Sequence, residues 1–266
     1  MSISKKIFAF VVLTAVLCMG CKDKSKPADI KEQALSLVAE NTASDVSITP
    51  IEHATAVLDW DGAIIYVDPV GGKEAFANEK EPDLILITDI HGDHFSLETL
   101  QALNTQKTKI VVPQAVADKI PAEFTPQLDI LNNGDTKERY GIHIEAIPMY
   151  NLREEAKDFH TKGRGNGYVL SKNDQRIYFS GDTEDIPEMR ALQNIDKAFV
   201  CMNLPYTMTV ESAADAVLEF KPKQVYPYHY RGKPDVGDVA KFKKIVNEKD
   251  SNVEVVQLDW YPKEDY

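Results

Sequence analysis

The apolar run Leu84–Thr88 leads straight into Asp89-Ile90-His91-Gly92-Asp93-His94-Phe95, and an amphipathic stretch, Leu97–Leu103, follows. Asp89, His91, Asp93 and His94 thus put four metal-binding groups within six residues, on a loop between a strand and a helix. Imidazole nitrogens and carboxylate oxygens suit Zn²⁺, Fe²⁺ or Mn²⁺. Gly92 is expected to let the loop turn tightly, so that neighbouring side chains face different ions. The plainer alternative is an Asp-rich turn with two solvated histidines.

The chain around this loop alternates short apolar runs with amphipathic ones. Strands are expected at Val46–Ile51, Thr55–Trp60 and Ala63–Val67, with Asp61-Gly62 as a hairpin turn between the second and third. Further strands are expected at Lys109–Pro113, Gln127–Leu131, His143–Pro148, Gly167–Ser171 and Arg176–Ser180. The last third reads as Lys197–Met202 strand, Val210–Phe220 helix, Gln224–Tyr228 strand, Val236–Asn247 helix and Val253–Leu258 strand, with another helix at Gln114–Lys119. A β-rich first half passing into βα units implies two sheets with helices outside. At 266 residues and 43% hydrophobic composition the chain can bury a sizeable core. Its net charge of −12 argues against a nucleic-acid partner.

Lys5 and Lys6 precede the apolar run Ile7–Leu17, which ends in Cys18-Met19-Gly20-Cys21. The run is short for a membrane span and has the layout of a secretory signal. Gly20-Cys21 resembles a bacterial lipobox, which would make Cys21 the lipidated first residue, although Cys18 stands where Leu is usual. The expected division is a signal over 1–20, a lipid-anchored tether over 21–43 and a globular domain over 44–266. The expected location is a membrane anchor facing the periplasm or cell surface. Cys201 is then the only cysteine of the domain and reads as a buried small hydrophobe.

Asp89–His94 resembles the His-x-His-x-Asp-His hallmark of the metallo-β-lactamase superfamily, and three further segments match in order. These are Val67-Asp68-Pro69, Ser180-Gly181-Asp182-Thr183 and Tyr228-His229-Tyr230. Within the superfamily the chain looks most like the branch related to ascorbate-phosphate lactonases. The resemblance implies an α/β (α+β) fold, a four-layer αβ/βα sandwich with a two-metal site along one edge. It implies that Asp93, His94 and His229 bind one ion, that Asp182 bridges to the other, and that Asp68 supports the site. Asp89 stands where the hallmark has its first His, and Asn151 where a third His is usual. His160 is a candidate for the missing nitrogen or for a substrate contact. The oxygen-rich first position makes Mn²⁺ or Fe²⁺ a rival to Zn²⁺ there.

Asp93 and Asp182 are the expected catalytic carboxylates, acting on a metal-activated water, with Asp93 helping to orient or deprotonate it. Substrate contacts are expected from His53, Asn151, Lys162, Arg164, Asn203 and Tyr206. His53 also reads as a packed strand residue, and Thr209 as a cap for the helix that follows. His160-Thr161-Lys162-Gly163-Arg164-Gly165-Asn166-Gly167 is basic and Gly-rich, an anion clamp or an exposed turn. His143 alternates with Ile142 and Ile144 and is expected to face solvent. The favoured reading is a metal-dependent hydrolase of an ester, lactone or phosphodiester in a small, anionic molecule. The alternative is a non-catalytic metal- or ligand-binding lipoprotein that keeps the fold.

Overall fold

The computed structural model describes residues 46–103 and 106–262, so the expected signal and tether lie outside the described residues. β1 (Ser47–Glu52), β2 (Thr55–Trp60), β3 (Ala63–Val67), β4 (Leu84–Leu86), β5 (Lys109–Val112) and β6 (Leu128–Ile130) form a six-stranded sheet in that order. It is antiparallel through β3 and parallel from β3 onward. The second sheet runs in the order β13 (Glu254–Val255), β12 (Gln224–Pro227), β11 (Lys197–Val200), β10 (Gln175–Phe179), β9 (Gly165–Lys172), β8 (Ile142–Met149) and β7 (Thr136–Arg139). It too changes direction part-way: β7 to β10 are antiparallel and β10 to β13 parallel.

The period of two along each strand sorts the core into layers. In β3 to β5, Ile65, Val67, Leu84, Leu86 and Val111 join the large cluster that includes Tyr168, Leu170, Phe179 and Phe199 of the second sheet. Their alternates, Ile64, Tyr66, Ile85, Ile110 and Val112, pack under Leu100, Val116 and Phe124 in a separate cluster. Both faces of these strands are therefore covered, which is why they read as continuous apolar runs. Each fully buried aliphatic side chain contributes about 1.5–3 kcal/mol.

The helices are α1 (Leu97–Ala102), α2 (Gln114–Ala117), α3 (Pro187–Arg190), α4 (Val210–Phe220) and α5 (Val239–Lys249). Ser96, Thr209 and Asp238 cap α1, α4 and α5 by accepting the N–H of Thr99, Ser212 and Lys241. Asp61 and Gly62 both adopt positive φ, 53° and 81°, as the expected hairpin turn requires.

The structure departs from the expected elements in several places. β7 was not foreseen, because its Thr-Lys-Glu-Arg sequence is a polar sheet edge without apolar alternation. The last strand shrinks from Val253–Leu258 to Glu254–Val255, since only these two residues pair with β12. The last long helix begins at Val239, after its Asp238 cap, rather than at Val236.

Candidate metal centre

The expected residues meet at the edge where the parallel strands of both sheets end, the usual place for a site in open α/β sheets. Asp68 follows β3, Asp89 to His94 follow β4, Asp182 follows β10, and His229 follows β12. Asp68 is wholly buried and organises the first half. One of its carboxylate oxygens accepts the Thr88 N–H, at 2.7 Å; the other accepts the Thr88 hydroxyl at 2.7 Å and His94 Nδ1 at 2.8 Å. With Nδ1 held against Asp68, His94 turns Nε2 toward the site.

Around that Nε2 the ligand atoms crowd together. His94 Nε2 lies 3.0 Å from His229 Nε2 and 3.3 Å from Asp182 Oδ2, and His229 Nε2 lies 3.1 Å from Asp182 Oδ1 and 3.5 Å from Asp93 Oδ2. Atoms about 2.1 Å from one ion stand about 3.4 Å apart at tetrahedral angles, so His94, His229 and Asp182 fit a cation, with Asp93 alongside. Burial opposes charge on His94, but Asp182 and Asp68 outweigh it and raise its pKa well above the ordinary imidazole value. Burial likewise opposes charge on Asp182, yet His229, His94 and His160 hold its carboxyl well below the usual range.

Asp89, His91 and His160 form a second cluster beside the first. His91 Nδ1 is 2.9 Å from Asp89 Oδ2, and His160 Nε2 is 4.0 Å from the same oxygen and 3.1 Å from Asp182 Oδ2. Asp182 therefore touches both clusters. His160 is 1% exposed, and its Nδ1 faces the Tyr206 carbonyl at 3.2 Å. That contact places the ring hydrogen on Nδ1 and frees Nε2. His160 Nε2 and Asp182 Oδ1 are buried without a hydrogen-bond partner among the described residues. Two such orphaned atoms aimed at the clusters are what an ion would satisfy. The geometry thus groups His160 with residues that could hold a metal ion.

Asp182 is placed by its neighbour. Gly181 has φ +60°, and a Cβ there would stand 2.7 Å from Met149 Sδ. Gly92 sits in the expected tight turn, closed by the His94 N–H on the His91 carbonyl at 3.0 Å, but with no positive φ and open space around it the turn makes no demand for glycine there.

A cleft of about 430 Å³ opens over the clusters, lined by His53, His91, Asp93, Phe159, His160, Asp182, Asn203, Tyr206, Arg231, Gly232 and Lys233. His53, Asn203 and Tyr206, three of the residues expected to contact substrate, line this cleft. The other three do not. Asn151 is buried and spends its amide on the Ala156 and Tyr206 carbonyls, at 2.8 and 2.6 Å, which holds the His160 loop. Lys162 binds Glu188 at 2.6 Å and lies over the Tyr150 ring, outside the cleft. Arg164 is committed to Asp89 through Nε at 3.0 Å and Nη2 at 2.8 Å, and to the Phe159 carbonyl. Arg231 and Lys233 supply the cationic wall instead. The sequence reading missed them, although a basic pair two and four residues beyond His229 was there to be seen. Burial, with His229 adjoining, lowers His53 to about 4.

Residues 47–229 match a family described as the beta-lactamase superfamily domain. A UPF0173 metal-dependent hydrolase of Thermococcus onnurineus is 33% identical over 196 residues, 70% of this chain and 85% of that protein. The chain belongs to this family. Another UPF0173 metal-dependent hydrolase, from Methanopyrus kandleri, is 29% identical over 229 residues, 82% of this chain and 98% of the relative. A crystal structure of a protein provisionally named a metal-dependent hydrolase, from Parabacteroides distasonis, superposes with a TM-score of 0.72 at 37% identity, covering 81% of this chain and 94% of that one. In this UPF0173 chain, cysteine provides no rival nucleophile in the described residues. Cys201 is fully buried behind the site, with its thiol pushed up to about 11 by burial.

Proposed function

We propose that this protein is a hydrolase that holds two divalent ions and acts on an ester, lactone or phosphodiester bond of a small anionic molecule. The observation that carries the reading is Asp182, in contact with His160 on one side and with His94 and His229 on the other. Asp93, His94, His229 and Asp182 would hold one ion, and His91, His160 and Asp182, with Asp89 adjoining, the other. Zn²⁺ suits the nitrogen-rich position, and Mn²⁺ or Fe²⁺ is admissible at the one flanked by Asp89.

Bound there, such ions would lower the pKa of a water and polarise the carbonyl or phosphoryl oxygen of the substrate. The chain's own groups do the rest. Asp93 is 43% exposed to the cleft and held well below the usual carboxylate range, against burial, by His229 and His53. It is thus the anionic group placed to accept a hydrogen bond from the attacking water. Arg231 and Lys233 face an anionic portion of the substrate, and Phe159 with Tyr206 forms an aromatic wall, their rings 5.2 Å apart. That combination would suit the branch related to ascorbate-phosphate lactonases, which the sequence motifs resemble. The same reading places the domain on a lipid anchor at Cys21, facing the periplasm or cell surface, and a Cys21→Ser protein is expected in the soluble fraction.

Metal analysis of residues 22–266, with a metal-supplemented screen of esters, lactones and phosphodiesters, tests the proposal. Two ions per chain with turnover is the expected result. One ion or none, with every substrate silent, would replace it by the binding-protein reading.

A further inference from the structure

Tyr261 determines which nitrogen of His53 carries its hydrogen. The Tyr261 phenolic oxygen accepts the backbone N–H of Tyr230 at 3.1 Å and of Arg231 at 3.0 Å. These two bonds occupy both of its lone pairs. Its 2.8 Å contact with His53 Nδ1 is therefore made by the phenolic hydrogen, and Nδ1 is the acceptor. An imidazole that accepts at Nδ1 is neutral and bears its one hydrogen on Nε2.

The ring has little freedom to escape this arrangement. The His53 N–H is bound to the Trp260 carbonyl at 3.0 Å, the His53 carbonyl accepts from His229 N at 3.2 Å, and the ring lies 3.9 Å from that of His229. Nε2 lies at the cleft, 3.3 Å from Asp93 Oδ2. His53, Asp93 and His229 are close enough together to resemble a third cation site. A hydrogen on Nε2 leaves no lone pair there for an ion, and Nδ1 is already taken.

We propose that His53 is not a ligand but a catalytic hydrogen-bond donor, its Nε2–H held toward the cleft by Tyr261 and offered to the substrate oxygen on which negative charge develops. This rests on the hydrolase reading above. The hydrogen is shared with that oxygen and stays on His53, so no bond to the protein forms or breaks. Donors fixed in advance of the reaction typically contribute about 100-fold or more in turnover. Tyr261 acts through His53 and is a positioning residue.

The test joins a spectroscopic readout to kinetics, on the full-length metal-loaded protein. Long-range ¹H–¹⁵N correlation of labelled histidines is expected to show His53 with a bare Nδ1 and a protonated Nε2, and Tyr261→Phe to lose that single tautomer. His53→Ala is expected to keep the wild-type metal content and to lose about 100-fold in kcat on a p-nitrophenyl ester with little change in KM. His53→Gln, which retains an N–H donor, recovers much of the loss. A bare Nε2 on His53, or loss of an ion in either His53 variant, overturns the proposal in favour of a ligand. Full turnover in His53→Ala overturns it in favour of packing alone. If the wild type itself is silent on every ester, lactone and phosphodiester, the hydrolase reading and His53's catalytic role fail together, while tautomer and metal content still decide the donor assignment.

Discussion

Arg164 grips Asp89 with two parallel hydrogen bonds, one to each carboxylate oxygen, across 75 residues of sequence. Asp89 is completely buried and stands where the superfamily hallmark has a neutral histidine. A carboxylate there requires a countercharge, and the planar guanidinium supplies it in the geometry it favours. Burial works against charge on Asp89, but His91, His94 and Arg164 together keep its carboxyl below the usual range.

Arg164→Met leaves that carboxylate buried beside two histidines. In chelator, urea unfolding of residues 22–266 is expected to show a loss of about 3 kcal/mol. With Zn²⁺ present the loss shrinks, because an ion takes over part of the countercharge. Equal losses in both conditions would separate Arg164 from the metal centre.

Asp182→Asn keeps the shape of the side chain and removes the charge that faces three imidazoles. Metal content is expected to fall below one ion per chain and turnover to vanish, while circular dichroism stays native. Full metal content in this variant would remove Asp182 from the ligand set.

The metal-free site binds metal and protons at the same atoms. Asp182 and Asp68 raise His94 against the effect of burial, so its imidazolium persists above the ordinary pKa near 6.5. A raised folded-state value stabilises the metal-free protein at low pH, and that contribution is lost as pH rises through it. An ion must displace this proton, so affinity rises by up to about tenfold per pH unit below the raised value. Competitive metal titrations from about pH 6 to about pH 8 check the slope; a flat response would mean that His94 is already neutral.

Lys233→Glu reverses a charge on the cleft wall without touching the clusters. KM for an anionic ester is expected to rise about tenfold, and KM for its neutral analogue to stay within twofold. Parallel changes for both substrates would place the anion site elsewhere.

Cys201 donates toward the Thr183 carbonyl at 3.4 Å, inside the core. With its thiol pushed up to about 11, residues 22–266 are expected to resist a disulfide reagent at neutral pH and to react once per chain in denaturant. Native reactivity would show that the segment behind Asp182 opens.

The centre was legible wherever a polar residue ends an apolar run. Asp89 to His94, Asp182 and His229 each follow a short, doubly covered parallel strand, and that punctuation is local. The duties of Arg164, Lys162 and Asn151 were not legible, because their partners Asp89, Glu188 and Tyr206 lie 75, 26 and 55 residues away. The basic loop suggested substrate contacts for Lys162 and Arg164, and its place where the resemblance has a third His suggested one for Asn151. Tyr261 carried no signal either, since nothing near it in sequence reveals that it meets His53. β7 escaped because an edge strand exposed on one side needs no hydrophobic pattern.

His53 is clasped by Trp260 and Tyr261, so a residue near the start of the domain is completed by residues near its end. A nascent chain that has emerged only through the first sheet carries Asp89, His91, Asp93 and His94 but lacks His160, Asp182 and His229. The full set of candidate ligands therefore exists only once both sheets have been made and joined.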